Sequence, residues 1–150
     1  MSAGTTPIFP ATPLVAAVSL VAASAGTSRA PTAYASMGST PIFGFSLVAS
    51  QTNGARIDKI TVKNSATAIA GATTAGTVLV WLVNTAGSGY VIDEILITAV
   101  TPSASVASAT ASATYTNLVI PTGWEIWVSG TIAGAAAANA LVVTAFGGAY

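Results

Sequence analysis

Short segments in which apolar and polar side chains alternate recur along the chain, and clusters of Gly, Pro, Asn and Ser separate them. In Trp124–Ser129, for example, the even-numbered positions are all apolar, whereas the odd-numbered positions include Glu125 and Ser129. A period of two residues is that of a β-strand, because successive side chains of a strand point to opposite faces. The separating clusters return about every 8 to 15 residues, which is typical of an all-β sandwich or barrel.

We therefore predict an all-β fold, a single jelly-roll-like β-sandwich of about eight strands with an extended N-terminal arm. Residues 1–13 contain three prolines, which favour extended backbone, and form the predicted arm. Such an arm either pairs with a neighbouring subunit or is a frayed terminus. Residues 14–150 form the sandwich domain. Its predicted strands are Leu14–Ala23, Ile42–Ser50, Arg56–Lys63, Thr77–Val83, Tyr90–Thr98, Thr114–Ile120, Trp124–Ile132 and Leu141–Phe146.

One predicted strand, Arg56–Lys63, breaks the regular alternation. Its apolar residues Ile57, Ile60 and Val62 cannot all lie on one face of a regular strand. A β-bulge near Asp58–Lys59 would bring the three side chains to a common face, because a bulge inserts one extra residue into the strand.

The predicted strands Thr114–Ile120 and Trp124–Ile132 are separated only by Pro121–Gly123. This short segment predicts a compact hairpin turn, because Pro and Gly supply the dihedral angles that turns require. Regular alternation along the preceding strand, Thr114–Ile120, places Tyr115 and Val119 on one face and Leu118 on the other.

Several predicted strands are apolar on both faces, namely Thr77–Val83, Leu141–Phe146 and, apart from its acidic pair, Val91–Thr98. A strand with two apolar faces belongs to a sheet that is covered on both sides. In a single small sandwich the outer face of each sheet should contact water. We therefore expect a neighbouring subunit to cover part of the surface.

The composition adds one feature to this interpretation: the chain has very few charged residues. The 150 residues include four Lys or Arg, four Asp or Glu, no His and no Cys. A Ser-His-Asp triad, a thiolate nucleophile, a zinc site and disulfides are thereby excluded, and we predict no enzyme, cofactor, metal or small-molecule substrate. Nucleic acid is excluded as a partner because it requires several basic contacts.

So few charges cannot produce the ordinary surface of a soluble monomer, of which about a quarter to a third is charged. We predict a chain that functions in an assembly; a monomer with a neutral Ser/Thr-rich face is the alternative. Three of the four basic residues lie between Arg56 and Lys63. Within this cluster Arg56 and Asp58 share a face, and we expect an ion pair inside the subunit or across an interface. A functional anion site that includes Lys59 is the second interpretation.

The longest apolar stretch, Leu14–Ala25, is too short to span a bilayer, which requires about 20 residues. It also lacks the preceding basic residues of a secretory signal. We therefore expect neither a signal peptide nor a membrane segment.

The candidate interaction residues are aromatic or lie in the arm. The adjacent carboxylates Asp93 and Glu94 point to opposite faces of a strand and form a poor acid/base pair. Aromatic residues on strands are typically core or interface anchors, with a sugar-stacking platform as the alternative. The candidates are Trp81, Tyr115, Trp124, Trp127 and Phe146, together with Thr5, Thr6, Pro7, Ile8, Phe9 and Pro10 in the arm.

An ordered set of short segments resembles small structural proteins of tailed bacteriophages, the capsid decoration or cement proteins. The resemblance covers roughly residues 39–150, and the opening Thr5–Pro10 is also similar, whereas residues 14–40 have no counterpart. The segments are Gly54–Ile60 (GARIDKI), Tyr90–Ile95 (YVIDEI), Thr98–Ser103 (TAVTPS), Leu118–Trp124 (LVIPTGW) and Ala145–Tyr150 (AFGGAY). The chain departs from the pattern at Ala149, where the group has an acidic residue.

The resemblance implies a β-sandwich that forms a homotrimer on the outer capsid surface of the virion and clamps neighbouring major capsid proteins together. A tail, baseplate or fibre component is one alternative, and a carbohydrate-binding module for host attachment is another. Many copies per virion would favour the shell over the tail, and binding of glycans would favour the module.

Overall fold

The computed structural model describes residues 10–20, 38–39, 42–64, 73, 75–130 and 141–150. Within these residues there are nine β-strands and no helix, so the predicted all-β fold is confirmed. The strands are β1 (Thr12–Leu20), β2 (Gly38–Ser39), β3 (Ile42–Val48), β4 (Ala55–Asn64), β5 (Gly76–Val83), β6 (Gly89–Ile97), β7 (Thr110–Ile120), β8 (Glu125–Gly130) and β9 (Leu141–Ala149).

The strands form two antiparallel sheets. The four-stranded sheet has the order β1-β9-β4-β7, and the five-stranded sheet has the order β2-β3-β8-β5-β6, with the two-residue β2 at one edge. Long strands from the first half of the chain pair with those from the second half in reverse order: β1 with β9, β3 with β8, β4 with β7 and β5 with β6. The pairs β4–β9 and β5–β8 complete the two sheets.

The main core lies between the sheets, because both contribute alternate apolar side chains to one buried cluster. Ile57, Ile60 and Val62 of β4 contact this cluster from one sheet, and Val78 and Val80 of β5 from the other. Burial of one such aliphatic side chain contributes about 1.5–3 kcal/mol. The other fully buried aliphatic members are Leu20, Val48, Ile97, Ile120, Ile126, Val128, Val143, Ala55 and Ala145.

Each of the eight predicted strands corresponds to an observed one, but some boundaries differ, and the predicted ends at residues 21–23 and 131–132 lie outside the described residues. β7 begins at Thr110, four residues before the predicted start, inside a stretch of Ala, Ser and Thr. The reason is that Ala111 and Ala113 pack against the core while Thr110 and Ser112 stay exposed, so small residues retain the period of a strand. Likewise β9 continues to Ala149.

The predicted bulge in β4 is confirmed. The register of β4 shifts between Ile57 and Lys59 against both neighbouring strands, so Ile57 and Ile60 are both fully buried. On β7 the partner of Ile57 is Leu118 and the partner of Lys59 is Thr114. Three residues of β7, 115–117, therefore lie between these two partners. Regular alternation of β7 was therefore the wrong expectation, because Tyr115 packs against the core on the same side as Leu118.

The predicted tight turn at Pro121–Gly123 is present, but it does not form a hairpin, because the two strands it joins, β7 and β8, lie in different sheets and do not pair. The backbone N–H of Trp124 donates to the carbonyl of Pro121 (3.1 Å), and Gly123 has a φ of 78°. A neighbouring turn contains Gly54 with a φ of 81°, and a Cβ there would lie 2.6 Å from the carbonyl oxygen of Ile120. Both positions require glycine, since a left-handed backbone and a close approach disfavour a side chain.

At the amino terminus, β1 begins at Thr12, so Thr12 and Pro13 of the predicted arm lie in the four-stranded sheet. Pro10 and Ala11 precede the strand, and the N–H of Ala11 donates to the carbonyl of Ala149 (2.8 Å). The rest of the predicted arm, residues 1–9, lies outside the described residues. In the part of the chain that is described, no helix has the length and apolar character needed to cross a membrane.

Candidate assembly surfaces

The outer face of the four-stranded sheet is broad and largely uncovered. Strand register places Val15 of β1 opposite Phe146 of β9, and Phe146 opposite Lys59 of β4. Val15 is 67% exposed and Phe146 is 40% exposed. Adjacent strands lie about 4.8 Å apart, so these three side chains form one continuous row across the sheet. We call this surface the cationic face; it comprises Pro13, Val15, Ala17, Ser19, Arg56, Lys59, Thr61, Lys63, Thr110, Ser112, Thr114, Val119, Val142, Thr144 and Phe146.

The charges of this face all lie on β4. Lys59 and Lys63, the chain's only lysines, are both exposed. Arg56 pairs with Asp58, with 2.8 Å between Nε and Oδ1, which confirms the predicted ion pair within the subunit. Because both partners are partly exposed, solvent screens their attraction and the pair contributes little stability.

The other members of the face are small and neutral. Thr61 of β4 lies opposite Ser112 of β7 on one side and Thr144 of β9 on the other. Ala17 of β1 lies opposite Thr144 in turn. Small side chains make a flat surface that costs little conformational entropy when a partner covers it. The face therefore combines flatness, an exposed apolar row and positive charge.

The outer face of the five-stranded sheet is different, because it is largely buried within the single chain. Leu79, Trp81 and Val83 of β5 form a second apolar cluster against Val91 and Trp127. Leu79 and Trp81 have no exposed surface. Both faces of Thr77–Val83 are thus apolar and covered within a single chain. From the same pattern, the sequence analysis expected a neighbouring subunit to provide the cover, and this strand does not need one. We call these five residues the tryptophan cluster.

Polar groups of the tryptophan cluster are paired with their neighbours. The indole N–H of Trp81 donates to the hydroxyl of Ser129 (2.9 Å), which is itself completely buried. The indole N–H of Trp127 donates to Glu125 (2.6 Å), and the hydroxyl of Ser46 donates to the same carboxylate oxygen (3.3 Å). A buried donor without a partner would be costly, and these bonds satisfy both indole groups.

One edge of the five-stranded sheet, strand β6, carries a second exposed surface. Tyr90, Ile92, Glu94 and Leu96 of this strand are all exposed, and Leu96 is the most exposed at 67%. The register of β6 shifts at Ile92, so Glu94 and Leu96 lie opposite Leu79 and Thr77, whereas Tyr90 lies opposite Leu82. Within the described residues β6 pairs with β5 only, so its other side is an edge. Such edges are natural sites for contact with another chain. We call Tyr90, Ile92, Asp93, Glu94 and Leu96 the acidic edge.

Asp93 links the two sheets. The hydroxyl of Tyr115 on β7 donates to Asp93 Oδ2 (2.7 Å), and Asp93 Oδ1 accepts the backbone N–H of Glu94 (2.8 Å). Burial of the Tyr115 phenol, followed by the hydrogen bond to Asp93 and the charge of that carboxylate, raises the pKa of Tyr115 well above its usual range. Asp93 and Glu94 lie on opposite faces of β6, as predicted, because Asp93 is opposite Val80 and Glu94 is opposite Leu79 in register.

The residues predicted from sequence are therefore spread over several environments. Lys59, Phe146 and Arg56 lie on the cationic face, and Asp58 is paired with Arg56. Trp81 and Trp127 lie in the tryptophan cluster, and Tyr115 lies between the sheets. Trp124 is half-buried against the main core. Pro10 lines an open groove of about 350 Å³ beside Gly148 and Arg56. Thr5, Thr6, Pro7, Ile8 and Phe9 lie outside the described residues.

Sequence reasoning did not select Val15, Tyr90, Ile92 or Leu96 as surface residues. Strand alternation could have separated Tyr90, Ile92 and Leu96 from Ile95 and Ile97, since the two sets alternate along one strand. The placement of Val15 beside Phe146 has no local signal, because it depends on pairing between the first and last long strands.

The described residues contain no group of three or more acidic, His or Cys side chains that could hold a metal ion. Comparison with known protein families, curated proteins and solved structures found no significant match to this chain. Its class is therefore given by its own fold, an all-β protein of two packed antiparallel sheets.

Proposed function

We propose that this chain is a structural virion protein, a capsid decoration protein that braces the shell of a tailed phage. It acts as a homotrimer on the outer capsid surface, binds the major capsid protein and catalyses no reaction. The proposal combines the resemblance of its segments to cement proteins with the geometry of its surfaces.

The fold within this proposal is a jelly roll. Its support is the reverse-order pairing of the long strands, β1 with β9, β3 with β8, β4 with β7 and β5 with β6. A chain folded as one long antiparallel ribbon and then rolled into two sheets would pair its strands in this order. Jelly rolls of eight strands are common in viral capsid proteins.

The observation that carries the proposal is the cationic face. Its exposed row of Val15, Phe146 and Lys59 lies in a sheet whose remaining outward residues are small and mostly uncharged. Contact over such a face buries apolar area at about 25 cal/mol per Å². Because a shell presents many identical sites, modest contacts of this kind add up when subunits are linked. The face suits binding between proteins better than chemistry on a small molecule.

The tryptophans offer little support for a carbohydrate-binding module. A sugar platform requires exposed aromatic faces, whereas Trp81 is completely buried, Trp127 packs beside it and Trp124 packs against the main core. The exposed aromatic residues described here, Tyr90 and Phe146, lie in different sheets.

The test is a cryo-EM reconstruction of the virions whose genome encodes this chain, with the copy number measured by quantitative mass spectrometry. The expected result is density for a trimer of two-sheet subunits, repeated over the outer capsid at symmetric sites. A few copies confined to the tail would replace the proposal by a tail or fibre component. Absence of the chain from purified virions would refute a structural role in the particle.

A further inference from the structure

The turn between β3 and β4 contains the only Asn-Gly pair of the chain, Asn53–Gly54. Asn53 is exposed, whereas Gly54 is buried. The backbone N–H of Gly54 donates to the carbonyl of Gln51 (3.2 Å), which closes a turn over the residues from Gln51 to Gly54. No non-glycine residue in the described part of the chain has a positive φ, so the third residue of the turn, Asn53, has a negative φ and the turn is of type I.

An asparagine that precedes glycine is chemically reactive. The backbone nitrogen of the next residue can attack the side-chain amide carbon of asparagine, and a Cβ on that next residue would hinder the approach. Gly54 has no Cβ, and the fold requires glycine there, because its φ is 81° and a Cβ would lie 2.6 Å from the carbonyl oxygen of Ile120. The packing of this turn therefore keeps an unhindered backbone nitrogen next to Asn53.

We propose that Asn53 is a site of spontaneous covalent modification whose rate is controlled by the turn. In the first step the backbone nitrogen of Gly54 bonds to Cγ of Asn53, and the side-chain amide nitrogen leaves as ammonia together with the Gly54 amide proton. The product is a succinimide ring. In the second step a water molecule opens the ring at either carbonyl and yields aspartate or isoaspartate. Water is the only co-reactant, and the inference does not rest on the proposed function.

The folded turn holds the reacting atoms in an unreactive arrangement. The ring requires Cβ of Asn53 and the nitrogen of Gly54 to be nearly eclipsed about the Cα–C bond of Asn53. At this position of a type I turn ψ is about 0°, so the backbone nitrogen of Asn53 is eclipsed with the Gly54 nitrogen instead. The backbone must therefore rotate before the ring forms, and this rotation breaks the hydrogen bond from Gly54 to Gln51.

Two further contacts hold Gly54 in place. Its carbonyl accepts the backbone N–H of Tyr150 (3.1 Å), and it approaches the carbonyl of Ile120 so closely that no room is left for a Cβ. Opening of the turn thus disturbs contacts with the ends of β7 and β9, and local opening of a packed segment costs free energy. We expect the modification to be slow in the folded chain and fast once the turn is open.

The two products differ in their effect on the turn. Aspartate at residue 53 keeps the backbone of the turn and adds one negative charge to a chain of zero net charge. Isoaspartate inserts the Cβ of residue 53 into the main chain, and the longer backbone displaces Gly54 relative to Gln51 and Ile120. The isoaspartate form should therefore lose the closed turn between β3 and β4.

The experiment follows conversion of Asn53 by peptide mapping with mass spectrometry during incubation at mildly alkaline pH. Conversion of the amide to a carboxylic acid is read from the mass, and isoaspartate is separated from aspartate by chromatography. The chain unfolded in guanidinium chloride should react roughly tenfold or more faster than the folded chain, because the folded turn must first open. Asn117, which is exposed but followed by Leu118, is the internal control and should stay largely unmodified over the same period.

Two variants test the contact made by the residue after β9. Tyr150→Pro removes the N–H that bonds to the Gly54 carbonyl, whereas Tyr150→Ala keeps this N–H and is the matched control. In the folded protein, Tyr150→Pro should speed the modification severalfold, and Tyr150→Ala should react at nearly the wild-type rate. Both variants should react like the wild type when unfolded. Urea unfolding verifies that both variants fold.

An unfolded chain in which Asn53 stays unmodified would overturn the assignment of the site. Equal rates in the folded and unfolded chains, or in folded Tyr150→Pro and Tyr150→Ala, would overturn control by the turn. Faster modification both in the unfolded chain and in Tyr150→Pro supports the whole inference. None of these results depends on the virion reconstruction, which tests the proposed function separately.

Discussion

Strands β5 and β9 have the same apolar character in the sequence, yet their outward-facing residues occupy different environments. In β5 the outward residues Leu79 and Trp81 are completely buried, with Trp81 opposite Trp127 in register. In β9 the outward residues Val142 and Thr144 are half-buried, and Phe146 is exposed. The outer face of one sheet is thus a second core, whereas the outer face of the other is available to a partner.

This difference shows that apolar residues on both faces of a strand indicate that both faces are covered. They do not indicate whether the same chain or another chain provides the cover. For β5 the cover is provided within the subunit, so its apolar outer face is a source of stability. For β9 the residues on either side of Phe146 are Lys59 and Val15, which are both exposed to water. Changes in the two strands should therefore affect different properties.

The largest expected effect comes from removing the side chain at the centre of the tryptophan cluster. Trp81→Ala should lower the free energy of unfolding by about 3–5 kcal/mol, because it leaves a large cavity between buried neighbours. Urea unfolding followed by circular dichroism, at protein concentrations where the chain is monomeric, measures the change. Phe146→Ala is the matched control on β9. Equal losses for both variants would remove the distinction between the two strands.

A smaller effect is expected from the hydroxyl that pairs with this tryptophan. Ser129→Ala keeps the packing but leaves the buried indole N–H of Trp81 without its partner at 2.9 Å. The free energy of unfolding should fall by about 1–3 kcal/mol, the cost of a buried donor that has no acceptor. Ser129→Thr is the comparison variant: it keeps the hydroxyl and hence the acceptor for the indole N–H, so any loss of stability in it comes from the added methyl group. A Ser129→Ala protein as stable as the wild type would show that water or another group satisfies the indole.

The pH dependence of stability tests the link between the sheets. The raised pKa of Tyr115 means that the folded protein keeps the phenol proton after the unfolded chain has lost it, near pH 10. The stabilisation is therefore complete below about pH 10 and is lost as the pH rises toward the folded-state pKa. Tyr115→Phe should show a shallower decline in the free energy of unfolding between about pH 9 and 11. Parallel declines in the two proteins would contradict the role of Tyr115.

The smallest effect on stability is expected on the cationic face. Phe146→Ser should change the free energy of unfolding of the monomer by less than about 0.5 kcal/mol, as for most surface substitutions. The same change should measurably weaken self-association, since it removes apolar area from the cationic face, the proposed contact surface. Sedimentation velocity provides the second measurement. Thr144→Ser, next on the same face of β9, is the conservative control. A large loss of stability without loss of association would reverse the interpretation of this face.

Local features of the fold were predictable from the sequence because local rules govern them. The bulge in β4 followed from the spacing of Ile57 and Ile60, and the turn at Pro121–Gly123 from its residue types. The irregularity of β7 was missed, since it arises where Tyr115 and Leu118 must both reach the core opposite the bulge. Tertiary packing decided that register, and no local pattern encodes it.

The candidate surfaces were predictable only in part. Lys59 and Phe146 were selected as single residues, but their meeting in one row with Val15 depends on pairing between strands that are far apart in the chain. Composition indicated that few charges exist, whereas the distribution of the described charges between the two sheets required the strand order. Trp81 was predicted to be a core or interface anchor, and the structure buries it completely within the subunit.

The central claim is that the cationic face becomes covered when the protein assembles, and the chain's two lysines, both on that face, make it directly measurable. Amine-reactive labelling, read by mass spectrometry, reports the reaction rates of Lys59 and Lys63 in dilute monomer and in the assembled protein. Free Nα-acetyl-lysine, whose side-chain amine is fully exposed, is the reference. Both lysines should react at similar rates to the reference in the monomer and roughly tenfold or more slowly in the assembly, because a contact excludes reagent and solvent from the core of an interface. Unchanged rates in the fully assembled protein would contradict the account.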